Sequence, residues 1–246
     1  RPEWRDSGAK ALYVWFVFGD FSDDLRIDAA RYRTRGTPAG VDVVRYTHAS
    51  IRAWDGYPLG GTMGKLFKSE NAMSFARALA TRDCLMLRGE IADPTDLDGL
   101  RDLVGTITAL VDLGGVAVVD PQMLSLFDPD EWHTRFFDSD EFVARAHVVI
   151  LASEDEAAFG RQWIHTRGMR KFARPDIGIR NVPPAHAGHA GQLAERFADF
   201  QARGGIVEEG REIVVEGLPS NMRVHHSGSL DDPEFNNVHL AIRWPD

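Results

Sequence analysis

Cysteine is almost absent from this chain. Cys84 is the only one, which excludes an internal disulfide framework and any cysteine-based zinc cluster. No apolar run approaches the ~18 residues of a membrane-spanning helix. The longest, Ala11–Phe18, is followed by Gly19-Asp20 and predicts a buried strand. The opening residues Arg1-Pro2-Glu3-Trp4 hold neither a hydrophobic region nor a small-residue cleavage site, so the expectation is a cytoplasmic protein. No Gly-x-Ser-x-Gly elbow and no His-Glu-x-x-His occurs, which removes two common hydrolase signatures. Excess positive charge is missing too. The net charge of −9 argues against sequence-independent binding of nucleic acid, which needs an extended basic surface.

What is present fits a soluble, folded chain. The 246 residues are 43% hydrophobic and 26% charged, enough to bury a core in one large domain or two small ones. Three segments follow one pattern of apolar run, helical stretch, glycine stop and second apolar run. They are Leu12–Phe18, a helix over 23–35 and Val41–Tyr46; then Cys84–Ile91, a helix over 96–113 and Val116–Val119; then Asp176–Arg180, a helix over 190–203 and Ile206-Val207. The second helix is the clearest, with Leu100, Val104, Ile107 and Val111 on one stripe. In the third, Leu193, Phe197 and Phe200 are expected to face inward. Asp128 and Glu131 are spaced for a capping box. The tail alternates in Ile213–Val215, Met222–His225 and Val238–Trp244, predicting antiparallel strands. The class is therefore α+β: two similar α/β sandwich halves with mixed, largely antiparallel sheets. The expected halves are 1–137 and 138–246, packed together without a flexible linker.

Most chemical motifs fail on their own terms. Gly60-Gly61-Thr62-Met63-Gly64-Lys65 has Leu59 and Leu66 where a phosphate loop needs glycine and Ser/Thr, so a glycine-rich turn is expected. Cys84 sits in a predicted strand and reads as buried structural cysteine. Nine histidines do not make a metal site by number alone. His186 and His189 fall at a loop or frayed helix start, and the adjacent His225 and His226 point to opposite faces of a strand. His165, His225 and His239, with Asp176 or Glu234, could converge only through the fold. No metal and no cofactor is expected. The acids at Asp23-Asp24, Asp93/Asp96/Asp98 and Asp231-Asp232/Glu234 sit at turns and helix starts, where carboxylates satisfy free amides.

One stretch stands apart. Residues 161–180 carry six basic side chains (Arg161, Arg167, Arg170, Lys171, Arg174 and Arg180) against Asp176 alone, or +5, leaving −14 for the rest. Trp163, His165 and Phe172 interleave them. The candidate ligand-binding set is His165, Thr166, Arg167, Gly168, Arg170, Lys171 and Arg174: cations for an anion, directional donors, and a glycine permitting close backbone approach. The opposing reading pairs these arginines with Glu154, Asp155 or Glu156 just upstream.

Residues 166–179, Thr-Arg-Gly-Met-Arg-Lys-Phe-Ala-Arg-Pro-Asp-Ile-Gly-Ile, resemble the motif Thr-x-Gly-Met-x-x-Phe-Gly-x-Pro-Glu-hydrophobic-Glu-hydrophobic of an uncharacterised bacterial family. Ala173, Asp176 and Gly178 depart from it, and the likeness extends more weakly over Cys84–Val119. The resemblance implies no established activity, cofactor or catalytic residue. The expected function is a bacterial binding or interaction module for an anionic small molecule or a protein partner, with no nucleic acid and no membrane. The alternative is a hydrolase or transferase on an anionic small molecule, with Arg167, Arg170 and Lys171 holding the anion and His165 as general acid/base.

Overall fold

The apolar run at 11–18 forms the middle strand of a sheet, buried on both of its faces. In the computed structural model, which describes residues 1–232 and 234–245, strand β1 covers Lys10–Gly19. Side chains alternate along a strand. Phe16 and Phe18 enter one apolar cluster, while Tyr13, Trp15 and Val17 are buried on the opposite side. This double burial explains why the run is continuously hydrophobic.

The strands β2 (Val41–Thr47), β3 (Asp83–Ala92), β4 (Gly115–Asp120) and β5 (Ser125–Phe127) complete a five-stranded sheet in the order β2-β3-β1-β4-β5. The pairs β2–β3, β1–β4 and β4–β5 are antiparallel. Helices α1 (His48–Arg52), α2 (Gly61–Glu70) and α3 (Ala72–Leu79) supply Ile51, Phe67, Phe75 and Ala78 to the cluster that holds Cys84, Met86 and Val119. Helix α4 (Asp98–Asp112) packs against β4 and buries Leu100, Val104, Ile107 and Val111, as its periodicity predicts. The Asp128–Glu131 capping box opens α5 (Pro129–Trp132).

A second five-stranded sheet has the order β6-β7-β8-β10-β9, with β6 Val149–Glu154, β7 Gln162–Arg167, β8 Asp176–Val182, β9 Val224–Ser229 and β10 Asn237–Arg243. Only β8–β10 is parallel; β6–β7, β7–β8 and β9–β10 are antiparallel. Helix α6 (Ala187–Ala202) packs on β7 and β8. The chain is an α+β fold with two mostly antiparallel sheets.

Two compact units result. One comprises residues 12–91 and 96–143; the other comprises 1–11, 92–95 and 144–246. The main division falls at 143/144 where the sequence placed it at 137/138, and two N-terminal pieces join the C-terminal unit. The reason is polar: the buried Arg1 and Arg174 guanidiniums both close on Asp93, at 3.0 and 2.6 Å.

The structure corrects several elements. Residues 23–35 form turns: Asp28 caps a single turn, in which the Tyr32 amide donates to the Asp28 carbonyl, and Arg33, with φ of +49°, ends it before a helix can propagate. The stretch 60–65 is the N-terminus of α2, with Gly60 as its cap. Ile206-Val207 and Ile213–Val215 lie outside strands, and Phe200 is exposed instead of inward. No helix among the described residues is long and apolar enough to cross a membrane.

Candidate functional site

Alternation along β7 divides the basic stretch into two populations. Ile164 and Thr166 are buried on one face; Trp163, His165 and Arg167 project to the other. Thr166 is structural. Its hydroxyl donates to Asp176 Oδ1 at 2.9 Å and accepts from the Ile177 amide. The second Asp176 oxygen accepts from Asn237 Nδ2 at 2.8 Å. Burial pushes the Asp176 carboxyl up to about 6, against the pull of these hydrogen bonds.

Much of the basic charge is engaged inside the C-terminal unit. Arg174 is buried, pairs with Asp93, and donates to the carbonyls of Arg5, Gly204 and Gly205. Lys171 is fully buried, with Nζ on the His147 carbonyl at 3.2 Å. Gly168 has φ of +113°, and a Cβ there would run into the His147 carbonyl, so close approach of backbone to backbone accounts for this glycine. Arg170 donates to the Asn236 carbonyl. Arg180 pairs with Asp155 at 3.1 Å and with Glu234 at 2.8 Å, so one of the acids just upstream takes part as the pairing alternative requires.

The outward face of β7 gathers a different set. The rings of Trp163 and His165 stack with centroids 3.8 Å apart, and Arg180 lies over Trp163 at 4.2 Å. Phe235 meets Trp163 and His165 edge-on and lies flat on His239 at 4.3 Å. The floor is Gly178, opposite His165 in the β7–β8 register. A Cβ on Gly178 would stand 3.2 Å from both Phe235 and Trp163. Side chains cannot otherwise close over this strand.

Within this cluster, four buried polar atoms have no hydrogen-bond partner among the described residues: Trp163 Nε1, His165 Nδ1, Arg167 Nε and His239 Nδ1. Trp163 and Arg167 can only donate. Burial, reinforced by the Arg167 charge, pushes the His165 imidazole down to about 4; burial also lowers His239, against the pull of Asp232. Both rings are therefore neutral at pH 7. An unsatisfied buried polar group costs about 1–3 kcal/mol. Four in one cluster mark a place where polar capacity exceeds what the fold uses.

Of the histidines expected to converge only through the fold, His165 and His239 share the Phe235 ring. His225 lies apart on β9, bonded to Glu209 at 2.8 Å. His186 and His189 are 5.9 Å apart at the start of α6. Among the described residues, no group of three His, Cys, Asp or Glu side chains could hold a metal ion. Sequence reasoning named Trp163 and His239 without joining them, and missed Phe235 and the floor role of Gly178. The available signal was period-two alternation, which sets Trp163, His165 and Arg167 on one face. No family model, curated protein or solved structure matches the chain.

Proposed function

We propose that the protein is a binding module whose C-terminal sheet takes a small molecule rich in hydrogen-bond acceptors at Trp163, His165, Arg167 and His239. The observation that carries this reading is the set of unpartnered polar atoms beneath Phe235. Recognition rests on directed donors and aromatic faces more than on net charge, because Arg180 and Arg174 are already ion-paired. An anionic ligand remains the preferred class, since Arg167 contributes a cation beside the donors. Entry of the ligand displaces the Phe235 ring from its contacts. The cytoplasmic setting, without nucleic acid or membrane, belongs to the same proposal.

The enzyme reading has one observation in its favour. A neutral His165 with a free Nδ1 is competent as a general base. Against it, Asp176 does not orient that ring; its oxygens serve Thr166, the Met169 amide and Asn237.

A thermal-shift screen of phosphates, nucleotides and carboxylates tests the binding reading. At least one compound should raise the melting temperature of the wild type, and Trp163→Phe, which removes only the indole donor, should abolish that shift. A screen with no hit, or a shift that persists in Trp163→Phe combined with His165→Phe, overturns it.

A further inference from the structure

Helix α6 leaves an apolar side open. Leu193 is buried, but Phe197 is half-buried and Phe200 is 37% exposed. Facing them, residues 206–215 present Ile206, Val207 and Val214, the last 86% exposed. Between helix and segment lies a cleft of about 450 Å³. That volume falls within the ~300–1,000 Å³ of small-molecule sites. Gly205 adds to the shape: a Cβ there would strike the Phe200 ring, so the ring lies directly on the backbone.

The charges at the rim are unequal in what they have left to bind. Glu208 is held by Arg5 at 3.0 Å, and Glu212 faces Arg223 at 3.7 Å. Arg196 and Arg211, which also line the cleft, have no side-chain partner among the described residues. Both lining acids are thus engaged, while two guanidiniums stand free at the edge of an apolar cavity. A guanidinium presents a planar fork that matches a carboxylate in two parallel hydrogen bonds.

From this combination we infer a second ligand site, at which the cleft holds an amphipathic carboxylate: an acyl chain of medium length against Phe197, Phe200 and Val214, with its acid group on Arg196 and Arg211. The site shares no residue with the Trp163/His165 cluster, and its ligand is selected differently. Apolar burial supplies affinity, and the guanidiniums choose a charged head over a neutral one.

Titration of the full chain with dodecanoate, dodecanol and butanoate, followed by calorimetry below the aggregation concentration of the lipids, tests the site. Dodecanoate should bind saturably at one per chain, and dodecanol and butanoate at least about tenfold more weakly. Arg196→Gln with Arg211→Gln should weaken dodecanoate by about tenfold or more, and Val214→Asp should abolish it. All three positions are exposed, and circular dichroism checks that the variants fold. Absence of saturable binding overturns the site. Equal affinity for dodecanol, or an unaffected double variant, overturns the carboxylate assignment. Wild-type response to the phosphate and nucleotide screen is independent of these variants, so failure here is distinguishable from failure at Trp163.

Discussion

Arg174 Nη1 stands 2.6 Å from Asp93 Oδ2, with both side chains about 1% exposed and 81 residues apart in sequence. Burial alone would push the Asp93 carboxyl up; hydrogen bonds from Arg174 and Ser7 outweigh it and hold the group below its ordinary value. The pair closes the C-terminal unit around residues 92–95. Arg174→Gln should cost about 3 kcal/mol in urea unfolding, the low end of breaking a buried ion pair, because Arg1 still holds Asp93. A depressed carboxylate stabilises above its unfolded pKa, and that contribution disappears as pH falls through the folded one. The Arg174→Gln penalty should accordingly shrink towards strongly acid pH.

Ile107 is fully buried on α4. Ile107→Ala should cost about 2–5 kcal/mol, from lost transfer energy plus the cavity left behind. Equilibrium denaturation reads this directly, and a loss under about half a kcal/mol, the range of surface changes, would contradict the packing described.

Gly178 keeps the floor of the aromatic cluster clear, at 3.2 Å from Phe235 and Trp163 for an added Cβ. Its φ is not in the left-handed region, so the effect of substitution is steric. Gly178→Val should destabilise by about 1–3 kcal/mol, as overpacking does, and should release Phe235 from Trp163. Comparison of urea midpoints with Gly178→Ala, which adds less volume, should show the smaller methyl costing less.

The titrations of His165 and Asp176 oppose each other. His165 stays neutral in the folded protein down to about 4, whereas an unfolded histidine takes a proton near 6.5. Between these values the unfolded chain binds more protons, so this residue makes stability rise with pH. Asp176 keeps its proton in the folded state up to about 6, above the ordinary 3.8. Across that interval the folded chain binds more protons, so stability falls as pH rises. Relative to wild type, His165→Phe should therefore lose stability as pH rises from 4 to 6, and Asp176→Asn should gain. Urea midpoints measured every half pH unit would show it; parallel curves for both variants would refute the assignment.

Cys84 is buried, and desolvation pushes its thiol up to about 12. The nucleophile is the thiolate. Thiol reagents at pH 8 should leave the native protein unmodified and label one group per chain in denaturant. Fast labelling without unfolding would show the β3 environment to be open.

Local patterns were legible wherever burial follows a single periodicity. The α4 stripe and the Asp128–Glu131 capping box satisfy their hydrogen bonds within their own segment, and the apolar β1 run, although its ladder partners are distant, carries its double burial in an unbroken hydrophobic sequence. The α1–α3 region was not legible as helix, because Gly60-Gly61 and Gly64 suppress the helical signal. Residues 23–35 misled in the opposite direction: Asp28 caps one turn, but the backbone turns left-handed at Arg33, with φ of +49°, and the helix stops there.

The basic stretch shows where one-dimensional reading stops. Composition alone established an island of +5 in a chain of −9. Only the tertiary structure decided that Lys171 and Arg174 are buried, that Arg180 joins Asp155 and Glu234, and that Trp163 and His165 meet Phe235, which lies in turn on His239, from the other end of the C-terminal unit. The physical reason is that side-chain alternation fixes which residues share a face, but the partner across that face is set by sheet register and by a glycine floor. The sequence determined the α4 helix with its buried stripe and the apolar pattern of β1, because those patterns depend on neighbours a few residues away. The pairing of charges and the assembly of the aromatic cluster depend on strands brought together across the whole C-terminal unit, and those the tertiary structure alone decided.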